Sequence, residues 1–147
     1  MFNALLAAGI FVLFFAILVL LAYIPLSLGL YRMALKCNVE NPWLAWIPIA
    51  NLYIMGMIIR ELKFQEYEIP SPEIVLPAAF AVNLVIGRIP FIGSLYGLAL
   101  LALMLLALFR LFSIFKKDSA MLFTVLSLIP LVGAFLVLSV SKYDPEY

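Results

Sequence analysis

The side chains most suited to chemistry are four glutamates, Glu61, Glu66, Glu68 and Glu73, crowded with Arg60 and Lys63 into residues 60–73. Two carboxylates can share general acid and base work when burial drives their pKa values apart. Here Pro70 and Pro72 break any helix through the stretch, and an acid beside prolines in water lacks that burial. A solvated loop of mixed charge is therefore the favoured reading, and an enzyme acting on lipid headgroups the least favoured. Cys37 is the only cysteine and the chain has no histidine. No disulfide can close within the chain, no thiolate cluster can hold a metal, and no imidazole can activate a serine or a thiol. Cys37 reads as an ordinary small apolar residue. With no G-x-S-x-G and no phosphate-binding loop, the sequence offers no catalytic, cofactor-binding or metal-ligating residue. A protein that is not an enzyme is expected, with no cofactor.

Three polar residues sit in or beside apolar runs and could line a path: Asn51, Asn83 and Arg88. Each asparagine could equally bond a neighbouring helix or a carbonyl freed by proline. Arg88, at a short turn, and Arg110, near a helix end, could act as anchors by snorkelling.

The elements that would carry these residues follow from composition. Apolar residues make up 67% of the chain and charged residues 12%, and mean hydropathy is +1.21. Soluble domains hold about 45–50% and about 25%, and a sphere of this size has too little interior to hide the excess. A net charge of +1 offers no field for nucleic acid, so none is expected as a partner. The expected fold is all-α, an integral membrane helical bundle forming a single transmembrane domain over 1–147. Four spans are predicted at about 4–28, 74–88, 91–113 and 119–141. A re-entrant or interfacial segment covers 42–59, and 60–73 forms a cytoplasmic loop. The first span lacks the basic start and short apolar core of a cleaved leader, and reads as retained. Gly87-Arg88-Ile89-Pro90 reads as a tight connection between antiparallel helices.

Basic residues arbitrate the uncertain segment, because short cytoplasmic loops are enriched in Lys and Arg. If 42–59 crosses, four basic residues face the cytoplasm and five face outward; if it returns, the split is seven to two. The second arrangement predicts a multi-pass protein of the cell membrane with both termini outside. Trp43, Trp46, Arg32 and Lys36 then serve as interfacial anchors.

A short pattern recurs as Ile47-Pro48, Ile89-Pro90 and Ile129-Pro130, each followed by a fresh apolar run. Broken helices lining a substrate site would use prolines in this way, although proline is common enough in membrane helices to recur by chance. Gly93 and Gly97 form a G-x-x-x-G, and Ala79, Asn83 and Gly87 a matching shallow stripe. Packing between those two faces is predicted, with dimerisation through the glycines as the alternative.

Tyr31-Arg32-Met33-Ala34, followed by Asn41-Pro42-Trp43-Leu44-Ala45-Trp46-Ile47-Pro48-Ile49-Ala50-Asn51-Leu52-Tyr53, resembles the signature of a family of small multi-spanning membrane proteins of Gram-positive bacteria. The stretch from Leu111-Phe112 to Val140 is similar to that family's closing helix. The resemblance implies a membrane location and architecture and no activity. The basic pair that often precedes the Pro-Trp block in that family is here reduced to Lys36 followed by Cys37. The leading expectation is a non-enzymatic protein, an accessory or assembly subunit. Its partners would be the bilayer and either another membrane protein or further copies of itself. A small channel or carrier is the alternative.

Overall fold

The computed structural model describes residues 1–147. Helix α1 runs Phe2–Lys36, and a 3-10 turn at Pro42–Trp46 leads into α2, Ala50–Ile59. A two-stranded antiparallel ribbon follows, β1 Leu62–Phe64 and β2 Tyr67–Ile69, with Lys63 opposite Glu68. The remaining helices are α3 Pro72–Ile86, α4 Ile92–Lys116, α5 Ala120–Leu126 and α6 Pro130–Val140, with a 3-10 turn at Lys117–Ser119. The chain is thus all-α apart from the small ribbon. Two segments, Phe2–Lys36 and Ile92–Leu126, are long and apolar enough to cross a membrane, each holding an 18-residue stretch of high mean hydropathy, 3.1 and 2.5 respectively.

Three helical hairpins give the fold its shape, and an Ile-Pro pair stands at the reversal of each. Ile47-Pro48 turns the 3-10 segment into α2, Ile89-Pro90 turns α3 into α4, and Ile129-Pro130 turns α5 into α6. Proline suits such a tip for two reasons. Its fixed φ suits a first helical turn, which Pro130 opens in α6 while Pro48 and Pro90 lie two residues before α2 and α4, and it removes an N–H that would find no partner in apolar surroundings. The first two tips share a further feature. The residue after proline, Ile49 at φ 69 and Phe91 at φ 68, lies in the left-handed region that branched and bulky residues avoid. At the third tip the amides of Ser127, Leu128 and Ile129 donate to the carbonyls of Phe123, Val125 and Leu126.

One expectation is corrected here. The apolar run 119–141 reads as a single span, but the structure divides it into α5 and α6. At 1.5 Å per residue these are about 10 Å and 16 Å long, and neither alone could cross a hydrocarbon layer of about 30 Å. The helix α6 runs back alongside α1, where Gly29 sits against the Val137 side chain and the Leu138 backbone. The placement of the termini changes with it. The Lys36 ammonium, at the end of α1, donates to the Lys142 carbonyl at 2.8 Å and the Tyr143 carbonyl at 2.7 Å. The C-terminal tail is therefore at the Lys36 end of α1, and Met1 is at the other end, rather than both on one side. The loop 60–73 likewise contains the ribbon, which the prolines hid; Leu62 is fully buried and pins it to the helices.

The buried core gathers at the Lys36 end. It joins Leu30 and Met33 of α1, Ile54 and Ile58 of α2, Leu76 of α3, Leu111 and Phe112 of α4, and Val137 and Val140 of α6. Two glycines set the closest crossings. A Cβ on Gly56 would run into the backbone of Pro72 and Glu73, so α3 can start against α2 only because position 56 has no side chain. By contrast, every residue from Phe2 to Ile17 is exposed.

Candidate functional site

Two places in the fold bring polar groups together. The first is a cavity of about 470 Å³ between four elements. Tyr23 of α1, Asn51 of α2 and Asn83 of α3 supply its polar side chains; Phe80, Leu101 and Met104 supply apolar wall. Asn51 is buried because α2 begins immediately after the tip at Pro48 and Ile49, which turns its first residues inward. The Tyr23 hydroxyl is committed, donating to the Trp46 carbonyl at 2.6 Å. Neither carboxamide takes part in the side-chain hydrogen bonds of the protein. Asn51 and Asn83 thus share one chamber, whereas Arg88 lies exposed at the α3–α4 tip and does not line it.

The small-residue stripes divide between packing and this chamber. Gly93 is pressed onto the Gly87 backbone at the tip, and the Tyr96 hydroxyl donates to the Ala79 carbonyl at 2.8 Å. Gly97, the second glycine of the G-x-x-x-G, faces the cavity, and a Cβ there would meet no atom within 4 Å.

The second place is the surface formed where α1, α2, α4 and α6 end. The Lys36 ammonium holds the chain just after α6 through the two carbonyls already described and lies 3.3 Å from the Asp144 carboxylate. The Glu146 amide donates to the Ile114 carbonyl at 2.7 Å, and the Tyr147 hydroxyl to the Ile58 carbonyl at 2.9 Å. The Arg60 guanidinium stands 3.9 Å from the centre of the Tyr147 ring. Burial, together with the neighbouring Cys37, holds the Tyr147 phenol above its ordinary range. Burial also pushes the Cys37 thiol up, opposed by the Tyr147 hydroxyl and the charges of Arg60 and Lys36. The tail is strapped across the helix ends, and no sequence signal pointed to it, since its side-chain contacts join residues 27 to 107 positions apart.

The loop glutamates do not converge. Glu61 pairs with Lys63 at 3.1 Å and, by hydrogen bond and charge, keeps that ammonium above its ordinary value. Glu68 faces Lys63 across the ribbon, and Glu73 opens α3. No group of three or more His, Cys, Asp and Glu side chains is gathered anywhere. Of the anchor residues, Lys36 is tied to the tail, and Arg32 lies one turn before it on α1. Trp43 and Trp46 are 55% and 41% exposed. The Trp46 carbonyl is beside Tyr23, which stands about 20 Å along α1 from Lys36.

The class defined so far is an all-α chain with helices of membrane-spanning length. Comparison with family models, with curated proteins and with solved structures finds no match for it.

Proposed function

We propose that this is a multi-pass integral membrane protein without enzymatic activity, an accessory or assembly subunit that docks on a partner within the membrane. Charge placement supports the orientation. Arg32, Lys36, Arg60, Lys63, Arg110, Lys116, Lys117 and Lys142 all belong to the end of the bundle where α1 and α4 stop; Arg88 alone is at the α3–α4 tip. Eight against one favours the cytoplasm for that end. In this topology α1, α3 and α4 cross, α3 being short enough to require local thinning. The Pro42–Ile59 and Ala120–Val140 segments dip in from the cytoplasmic side and return. The N-terminus is outside and the C-terminal tail inside.

One observation carries the docking. The packed part of α1, Leu18–Lys36, is about 27 Å long and already matches the hydrocarbon layer. Phe2–Ile17 adds about 24 Å of helix, exposed along its whole length and apolar except for Asn3. Tilt alone cannot hide that length, and a helix apolar all round is covered by something. A photo-crosslinking residue at Phe11 or Phe15, activated in native membranes, is expected to give a discrete heavier polypeptide product. A product at twice the chain mass identifies a second copy as the partner. Labelling of lipid alone overturns the docking.

A carrier is the second reading, favoured by the meeting of Asn51 and Asn83 in one cavity. The position of Arg88 outside that cavity weighs against a continuous polar path. Flux of solute from liposomes that vanishes in Asn51→Leu would decide for it.

A further inference from the structure

The cavity between α1, α2, α3 and α4 has a composition that specifies a ligand. Its volume of about 470 Å³ is within the range of small-molecule sites. Its lining carries no Asp, Glu, Lys or Arg, so a charged headgroup would be buried there without compensation. Its walls are largely apolar, and its two carboxamides are not used by any protein partner. An unpaired amide in apolar surroundings is costly. Each carboxamide offers both a donor and an acceptor, so a neutral group with a carbonyl or a hydroxyl satisfies either one. The absent side chain at Gly97 enlarges the chamber on the α4 wall, and Tyr23 places it about 20 Å along α1 from the charged end.

The geometry points to a binding site for a neutral lipid-like molecule, an apolar body with one uncharged carbonyl- or hydroxyl-bearing head held by Asn51 and Asn83. Prenyl quinones and diacylglycerols both present this chemistry, and the site as drawn accepts either head. The inference rests on the membrane topology proposed above, because only an intramembrane cavity is filled from the lipid phase.

The test uses the full chain in phosphatidylcholine nanodiscs, with decylubiquinone as the probe. A quinone quenches tryptophan, and the Trp46 backbone carbonyl accepts from the hydroxyl of the cavity residue Tyr23, which sets this tryptophan's main chain beside the site. Wild-type protein is expected to show saturable quenching. Dioctanoylglycerol is then added as competitor: relief of quenching means a site for uncharged heads in general, and no relief means one restricted to quinones. Two variants remove the site in different ways. Gly97→Leu fills the chamber where a side chain has room, and Asn51→Leu combined with Asn83→Leu removes the polar head contacts. Each is expected to weaken saturable binding at least tenfold. Linear, unsaturable quenching in the wild type, or saturable quenching unchanged in Gly97→Leu, overturns the site. Carbonate washing of the source membranes separates this from failure of the topology. A chain released by carbonate overturns both readings, while a retained chain that binds neither probe overturns the cavity site alone.

Discussion

The two halves of α1 are both strongly apolar but differ in what surrounds them. From Leu18 to Lys36 the helix lies among α2, α6 and the Pro42–Trp46 turn, and Leu30, Met33 and Ala34 are almost wholly buried. From Phe2 to Ile17 the same kinds of apolar side chain are all exposed. Hydrophobicity alone therefore does not gather this protein. Lipid tails cover an apolar side chain as well as another helix does, so the drive to pack in a bilayer comes from close fit and from polar groups that need partners. The second half has both. The ribbon, the tail and all eight carboxylates belong to that end.

This contrast can be broken most directly at Gly56. Gly56→Leu forces a side chain into the Pro72–Glu73 backbone and is expected to cost about 3 kcal/mol or more. Thermal unfolding in mild detergent reads it, and an unchanged midpoint would show that α2 and α3 are not in contact. Next is a matched pair on one helix. Met33→Ala is expected to cost about 3 kcal/mol, and Phe14→Ala less than about 0.5 kcal/mol. Equal losses would abolish the distinction between the halves.

A smaller effect tests the strap. Tyr147→Ala removes the cover over Cys37, so alkylation of the thiol by a soluble maleimide at pH 8 should speed up severalfold. The wild-type thiol, raised by burial, should react slowly and gain as pH climbs. The sign for Tyr147 follows from its raised pKa. Its contribution to folding is complete below the ordinary phenol value of 10.0 and is lost as pH rises beyond it. Strap opening measured by Cys37 labelling should not increase on acidification.

The smallest effect concerns Ser27, whose hydroxyl is buried in α1 and has no hydrogen-bond partner. Ser27→Ala removes an unpaired polar group and should stabilise the protein by about 1 kcal/mol. A loss of similar size would mean that the hydroxyl is bonded.

Much of this was legible in the residues. The helices expected at 74–88 and 91–113 lie within a few positions of α3 and α4, and the one expected at 4–28 runs eight residues further, to Lys36, because long apolar runs between charges leave few alternatives. The reversal at Gly87–Pro90 was announced by glycine and proline. The folding back of 42–59 was favoured by counting Lys and Arg, although proline and tryptophan alone left it open. Asn51 and Asn83 were singled out as polar residues in apolar runs, but nothing local said they would face one chamber, or that Arg88 would not. The ribbon was missed because two prolines flank three-residue strands. Gly56 was missed because a single glycine in an apolar run carries no mark of what approaches it.

The amino-acid sequence alone determined that this protein is helical, that two of its helices are apolar and long enough to cross a membrane, and where its helices turn. Hydropathy is a sum along one dimension, so it measures the length of an apolar run and is blind to its direction. Residues 119–141 could form one helix or two that fold back on each other at the same hydropathy. Only the contact of Gly29 with Val137 and Leu138, and the Lys36 ammonium on the carbonyls after α6, brought them back. These choices belong to the tertiary structure because the groups that make them are more than a hundred residues apart.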